Sequence, residues 1–202
     1  MPLGTQTVDQ FLCDLASKEP TPGGGAVAGI LAGLSTSLGN MVLAYSAGKK
    51  SLAEHAALHN DCMTFLQTAK NEALVLGDAD ADAYYKVSAL WKLPKDDPKR
   101  IEQWDSTLAD AIKIPLQTME LSQRILLTLQ TLVGKTNTLL SSDLAIAAIL
   151  AESAARAAHW NVGVNAMQME NDEQRATFVE QSLTILTSCK KLALLIEQSC
   201  EV

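Results

Sequence analysis

Three carboxylates stand at alternate positions in Gly77-Asp-Ala-Asp-Ala-Asp-Ala-Tyr84. A carboxylate set in a pocket can give or take a proton. Residues two apart on a helix do not share a face, so at most one or two of Asp78, Asp80 and Asp82 can reach a common pocket, and the others meet water. A further carboxylate, Asp143, follows Ser142 at the head of an alanine-rich run, a position equally suited to capping a helix. Asn161 and Asn165 lie four apart, and two amides on one face of an apolar helix need partners in each other, in backbone or in a ligand. Gly23, Gly24 and Gly25 follow Pro20 and Pro22. They can present backbone N–H groups to an anion at a helix start, or simply allow a tight turn and close packing. The GxxxxGK[ST] pattern is absent and no strand is predicted ahead, so this is not a nucleotide loop. Lys49 and Lys50, at the far end of the same helix, can attract an anion or neutralise the helix terminus.

His55 and His59 share a face and could ligate a metal, but there is no HExxH pattern and no clear third ligand. The spacing therefore predicts an exposed pair and no metal site. His159 has an ordinary pKa suited to proton transfer. Cys13, Cys62, Cys189 and Cys200 form no CxxC pair, which argues against zinc or redox chemistry. With no basic, apolar leader at the N-terminus, reduced thiols in a cytoplasmic protein are expected. A net charge of −7, with three each of Trp, Tyr and Phe, lacks the basic footprint of a nucleic-acid binder.

The elements that must position these groups read as helices. Thr7 and Gln10 form a capping box ahead of Val8, Phe11, Leu12 and Leu15. After the glycines a long apolar helix runs from Gly25 to Gly48. Ser51 and Glu54 repeat the capping pattern for a third helix, which Gly77 or the following aspartates can bend and which ends before Pro94. Asp97 caps a helix whose first turn holds Pro98 and which Pro115 should kink or break. Asp143 opens an apolar helix to about Met169, and Asn171 with Gln174 caps the last. Alternating β-branched runs and Asn-Gly or Asp-Gly turns are missing. The prediction is an all-α single domain over residues 1–202, with six to eight helices around a long small-residue-rich one.

That long helix poses a membrane question, since Gly25 to Gly48 is uncharged and Gly29 and Gly33 have the GxxxG spacing. Ser35, Thr36, Ser37 and Asn40 within it, and no second apolar run of comparable length, favour a buried helix and no membrane association. Each interior glycine costs about 1 kcal/mol of helix propensity, so close helix contact must require them, either within the chain or with a second copy.

Taken in order, Pro-Thr-Pro-Gly-Gly-Gly, Gly48-Lys49, Asp80 with Ala83-Tyr84, Ser142-Asp143 and Asn161-Val162 with Asn165 resemble the cyclodeaminase domain of formiminotransferase-cyclodeaminase and the related stand-alone methenyltetrahydrofolate cyclohydrolases. The resemblance covers nearly the whole chain. The chain departs from it at Ala157, where the family often has glycine, at His159 and Trp160, and in a longer loop holding Asn137. It implies an all-helical, dimeric enzyme of folate one-carbon metabolism with no cofactor beyond the tetrahydrofolate substrate. It also implies substrate contacts from Gly23, Gly24, Gly25, Lys49, Tyr84, Ser142, Asn161 and Asn165.

The leading implied reaction converts 5-formiminotetrahydrofolate to 5,10-methenyltetrahydrofolate and ammonia. The cyclohydrolase reaction is the alternative, and a non-catalytic folate-binding helical dimer is the reading from another class. In the deamination N10 must lose a proton, the departing nitrogen must gain one, and the product is a cation. Asp80 and Asp143 are the catalytic candidates. A straight helix would separate the glycines from Lys49 by about 36 Å, and Asp143 from Asn161 by about 27 Å, so a site using both ends requires broken helices or an antiparallel homodimer with its site at the interface.

Overall fold

The computed structural model describes residues 1–200; residues 201 and 202 of the expected domain lie outside them. The chain forms α1 (Val8–Leu15), α2 (Gly24–Ala44), α3 (Ala56–Trp91), α4 (Pro98–Leu132), α5 (Ser141–Ala166) and α6 (Asp172–Cys200). Short 3-10 turns cover Leu3–Thr5, Lys50–His55 and Thr138–Leu140, and no strand occurs among the described residues. This is the all-α architecture expected from the sequence.

Contacts fix the directions. Gly25 meets Asp80, Gly29 meets Ala73 and Gly39 meets Leu66, so α3 runs antiparallel to α2. Ser35 Oγ donates to the Ala147 carbonyl and Gly24 abuts Asn161, so α5 is also antiparallel to α2. Arg124 reaches Glu72, and Trp104 donates through Nε1 to the Gln168 carbonyl, which sets α4 antiparallel to both α3 and α5. The result is an up-down-up-down bundle of α2 to α5. The sixth helix lies along α4 and α5, tied to them by Gln123–Ser188 and His159–Ser182 hydrogen bonds.

Small residues set how closely these helices approach. A Cβ at Gly29 would lie 2.6 Å from the Ala73 carbonyl oxygen and 3.1 Å from Gly77 Cα, so α2 and α3 cross backbone to backbone. The requirement for glycine here is met within one chain. On α5, Ala147, Ala148, Ala151, Ala154, Ala155 and Ala158 are buried, and this face fits α2, α4 and α6 around it. Leu66, Leu108, Ile112, Met119, Ile125 and Leu129 fill the space between, each contributing roughly 1.5–3 kcal/mol by leaving water.

Several local expectations are corrected. Residues from Lys50 to His55 form a 3-10 turn, and α3 starts at Ala56, so Ser51 and Glu54 make no capping box. The third helix is one continuous element through Gly77, where the missing side chain admits Leu3 and the close approach of Ala26. The fourth helix continues through Pro115, whose burial in the core offsets the missing backbone hydrogen bond. Asp143 is not a helix cap: Leu140 occupies that position and Asp143 sits in the first turn, where an acidic side chain still favours the helix dipole. A second helix is, after all, long and apolar enough to cross a membrane. Both such segments, Gly24–Ala44 and Thr138–Ala166, pack against each other inside the bundle. Thr7, Asp97 and Asn171 cap as expected.

Candidate active site

The second helix begins at Gly24, while its antiparallel neighbours α3 and α5 extend past that start, α3 by about three turns beyond Asp80. The space that α2 would have filled is a cleft of ≈ 260 Å³. Its floor is the N-terminus of α2, its walls are α3, α4 and α5, and the Pro20–Gly23 segment closes one side. A hydrogen bond between the Thr21 and Tyr85 hydroxyls, 2.9 Å, fastens that segment to α3.

Of the three neighbouring carboxylates, one enters the cleft. Asp78 Oδ1 accepts from the Leu3 backbone N–H at 3.0 Å and anchors the N-terminal turn. Asp82 is exposed on the outer face. Asp80 lies against the start of α2, and a Cβ on Gly25 would overlap its carboxyl group. Glycine at position 25 is therefore what lets this carboxyl sit at the helix terminus. Burial pushes the Asp80 pKa up from the ordinary carboxylate value. A group held this way carries a proton closer to neutrality than a solvated aspartate and can hand it on.

Asn161 faces Asp80 across the helix start. Its Oδ1 would be 3.0 Å from a Cβ on Gly24, and its Nδ2 is buried without a partner among the described residues. A buried amide N–H left unpaired costs about 1–3 kcal/mol, which a ligand acceptor can recover. Asn165 lies one turn further on, and Tyr84 lies one turn beyond Asp80; both line the same cleft. Gly23, Gly24 and Gly25 form its floor.

Lys49, Ser142 and Asp143 are not in this cleft. Asn161 lies 18 residues along an unbroken α5 from Asp143, about 27 Å away. Lys49 is at the same distal end as Asp143, beside a second cavity of ≈ 300 Å³ lined by Ala47, Gly48, Leu52 and His59. The expected exposed histidine pair is corrected here: His59 is only 2% exposed, with Nε2 2.7 Å from the Lys135 carbonyl. His159 is outside the cleft, paired with Ser182, and burial followed by the Lys190 charge lowers its pKa. Among the described residues no three His, Cys, Asp or Glu side chains gather to hold a metal.

Sequence reasoning missed Thr21, Val87, Ser88, Trp91, Ala111 and Val164, which also line the cleft. Tyr84, Val87, Ser88 and Trp91 follow Asp80 at +4, +7, +8 and +11, a single helical face that becomes readable once Asp80 is fixed as its first member.

The model of the formiminotransferase-cyclodeaminase family matches residues 7–184, a span that includes the cleft and its carboxyl group. The chain belongs to this family. Formimidoyltransferase-cyclodeaminase of Gallus gallus is 28% identical over 188 residues, 91% of this chain and 35% of that protein. The chain thus spans about a third of the length of such curated relatives. A methenyltetrahydrofolate cyclohydrolase of Methylorubrum extorquens is 28% identical over 172 residues, covering 83% of each chain. The crystal structure of formiminotetrahydrofolate cyclodeaminase from Thermotoga maritima superposes with a TM-score of 0.90 at 20% identity, covering 98% of this chain and 96% of that one. At that identity the match establishes the shared helical fold.

Proposed function

We propose that the chain is a folate one-carbon enzyme that acts on the carbon bridging N5 and N10, with cyclodeamination of 5-formiminotetrahydrofolate as its reaction. The observation that carries this reading is the Asp80 carboxyl: partly buried, with its pKa raised by that burial, and set at a helix start opposite the unpartnered Asn161 amide. In the reaction, N10 attacks the carbon of the protonated formimino group (–CH=NH2+) to give a tetrahedral centre that bears an NH2 group. The carboxylate form of Asp80 takes the N10 proton, and the carboxylic acid returns it to the nitrogen that leaves as ammonia. As the methenyl cation forms, the regenerated carboxylate stabilises it. The Asn161 amide and the α2 backbone N–H groups supply donors to polar substrate atoms.

The cyclohydrolase reaction is the second reading. Its support is the M. extorquens relative, which matches across most of both chains, whereas the cyclodeaminase relative matches over a third of its own length. Both reactions share the tetrahedral carbon. Methenyltetrahydrofolate absorbance separates them. Signal growth with ammonia release from 5-formiminotetrahydrofolate supports the cyclodeaminase, and accelerated decay of preformed methenyltetrahydrofolate alone supports the cyclohydrolase. Neither change, with folded protein, refutes both and leaves the non-catalytic reading.

The proposal includes a homodimer. The outer faces of α2 and α5 carry Leu34, Ile146, Trp160 and Val164, and their C-terminal caps are Tyr45 and Met167, each of the six at least 47% exposed. These form an apolar surface that a second copy can cover. An antiparallel pairing across it sets Lys49, Ser142 and Asp143 of the partner subunit beside the Asp80 cleft, giving all the implied residues one site. Inactive Asp80→Asn and Asp143→Asn variants, mixed and allowed to exchange subunits, should recover roughly a quarter of the activity by random pairing. A fully active monomer refutes the shared site. The four free cysteines support a cytoplasmic location.

A further inference from the structure

The α3 face that begins with Asp80 ends at Trp91, about 16 Å away at 1.5 Å per residue. Trp91 is 55% exposed in the lining of the cleft, an uncommon setting for the largest apolar side chain. It is not loose. Its ring meets the Trp104 ring edge to face, with centroids 6.3 Å apart and planes at 78°. Trp104 is itself buried, held by its Nε1–H bond to the Gln168 carbonyl at 2.9 Å and covered by the Arg100 guanidinium 4.7 Å from the ring centroid. One side of Trp91 is therefore braced, and the side chain also lines the cleft.

The cleft has two ends of different character. At the floor are the Asp80 carboxyl, the Asn161 amide and the start of α2; the apolar lining is made by buried Val87 and Ala111 on the walls and by exposed Trp91 at the end of α3. A ligand that fits has a hydrogen-bonding head and a flat apolar ring joined to it by a short link. Resting on the folate reading above, we propose that Trp91 is the stacking platform for the p-aminobenzoyl ring of the substrate, and so the residue that distinguishes complete reduced folates from pterins lacking that arm. The pterin and the reacting carbon occupy the polar floor, and Trp91 takes no part in proton transfer.

Calorimetric binding of 5-formyltetrahydrofolate and of 6-methyltetrahydropterin, which lacks the aryl arm, tests this on the full chain. Trp91→Leu should weaken 5-formyltetrahydrofolate binding roughly 3- to 10-fold, the range of an aromatic stacking contact, and change 6-methyltetrahydropterin binding by less than about twofold. In turnover, KM should rise by the same factor with kcat held. Trp91→Phe should restore most of the folate affinity, and it keeps a ring against Trp104 should the leucine variant fail to fold. Equal loss of both probes would assign Trp91 a purely structural role through Trp104 and overturn the proposal. Unchanged folate affinity in the leucine variant would overturn it while leaving the folate reading intact. Failure of the unaltered, folded protein to bind 5-formyltetrahydrofolate would remove the folate reading and this proposal with it.

Discussion

Gly25→Ala isolates the geometric claim on which the site rests. The new Cβ would fall within the Asp80 carboxyl group, and restoring even a 3.0 Å approach requires that group to retreat by about 1 Å or swing out of the cleft. A misplacement of ~1 Å at a reacting group costs on the order of 100-fold, or about 2.7 kcal/mol of transition-state stabilisation. Stability moves far less, because replacing glycine in a helix gains up to about 1 kcal/mol while the overlap costs roughly 1–3 kcal/mol. Gly33→Ala is the matched control: its Cβ would meet only Leu74 Cδ2 at 3.7 Å, an ordinary contact. The methenyltetrahydrofolate absorbance assay should show kcat/KM reduced about 100-fold by the first change and held within about twofold by the second. Thermal unfolding should place both variants within several degrees of the parent. If Gly25→Ala turns over within about threefold of the parent, the Asp80 carboxyl at the α2 start is not the proton-transfer group.

Asp80→Asn should abolish turnover yet raise the unfolding temperature at pH 7. A folded pKa above the unfolded value of 3.8 means that the protonated form's stability is fully present below that value and lost as pH rises through the folded pKa. The two melting curves should therefore converge towards pH 4, and a parent more stable than the variant at pH 7 would contradict the burial argument. His159 has the opposite sign: its lowered pKa gives stability that is present above pH 6.5 and lost as pH falls through the folded value, so His159→Gln should flatten the acid side of the melting profile. Gly29→Ala, which drives a methyl group to 2.6 Å from a backbone carbonyl that cannot rotate away, should destabilise the fold by about 1–3 kcal/mol in denaturant titration. His59→Ala should destabilise by about 1–3 kcal/mol through the cavity it leaves in a buried position and the partly buried Lys135 carbonyl it leaves unpaired.

The amino-acid sequence by itself determined the helical class, most helix ends and part of the cleft lining, namely Gly23 to Gly25, Asp80, Tyr84, Asn161 and Asn165. Those features are local: apolar spacing at 3.6 residues, Thr7, Asp97 and Asn171 as caps, and glycine where a helix must start or be crossed closely. Local rules failed where packing outweighed them. Buried Pro115 stands inside an unbroken helix where a kink or a break was expected, His59 is drawn inside by the Lys135 carbonyl, and Ser51 is taken up in a 3-10 turn. Only the tertiary structure decided which of Asp78, Asp80 and Asp82 enters the cleft, since that depends on where the start of α2 meets α3 at Gly25. The continuity of α5 likewise separated Asp143 from Asn161, and the overhang of α3 beyond α2 created the cavity and brought Trp91 to its lining. Motif spacing names the residues on a helix, but the relative lengths and offsets of packed helices are set by long-range contacts, and those decide which residues share a site.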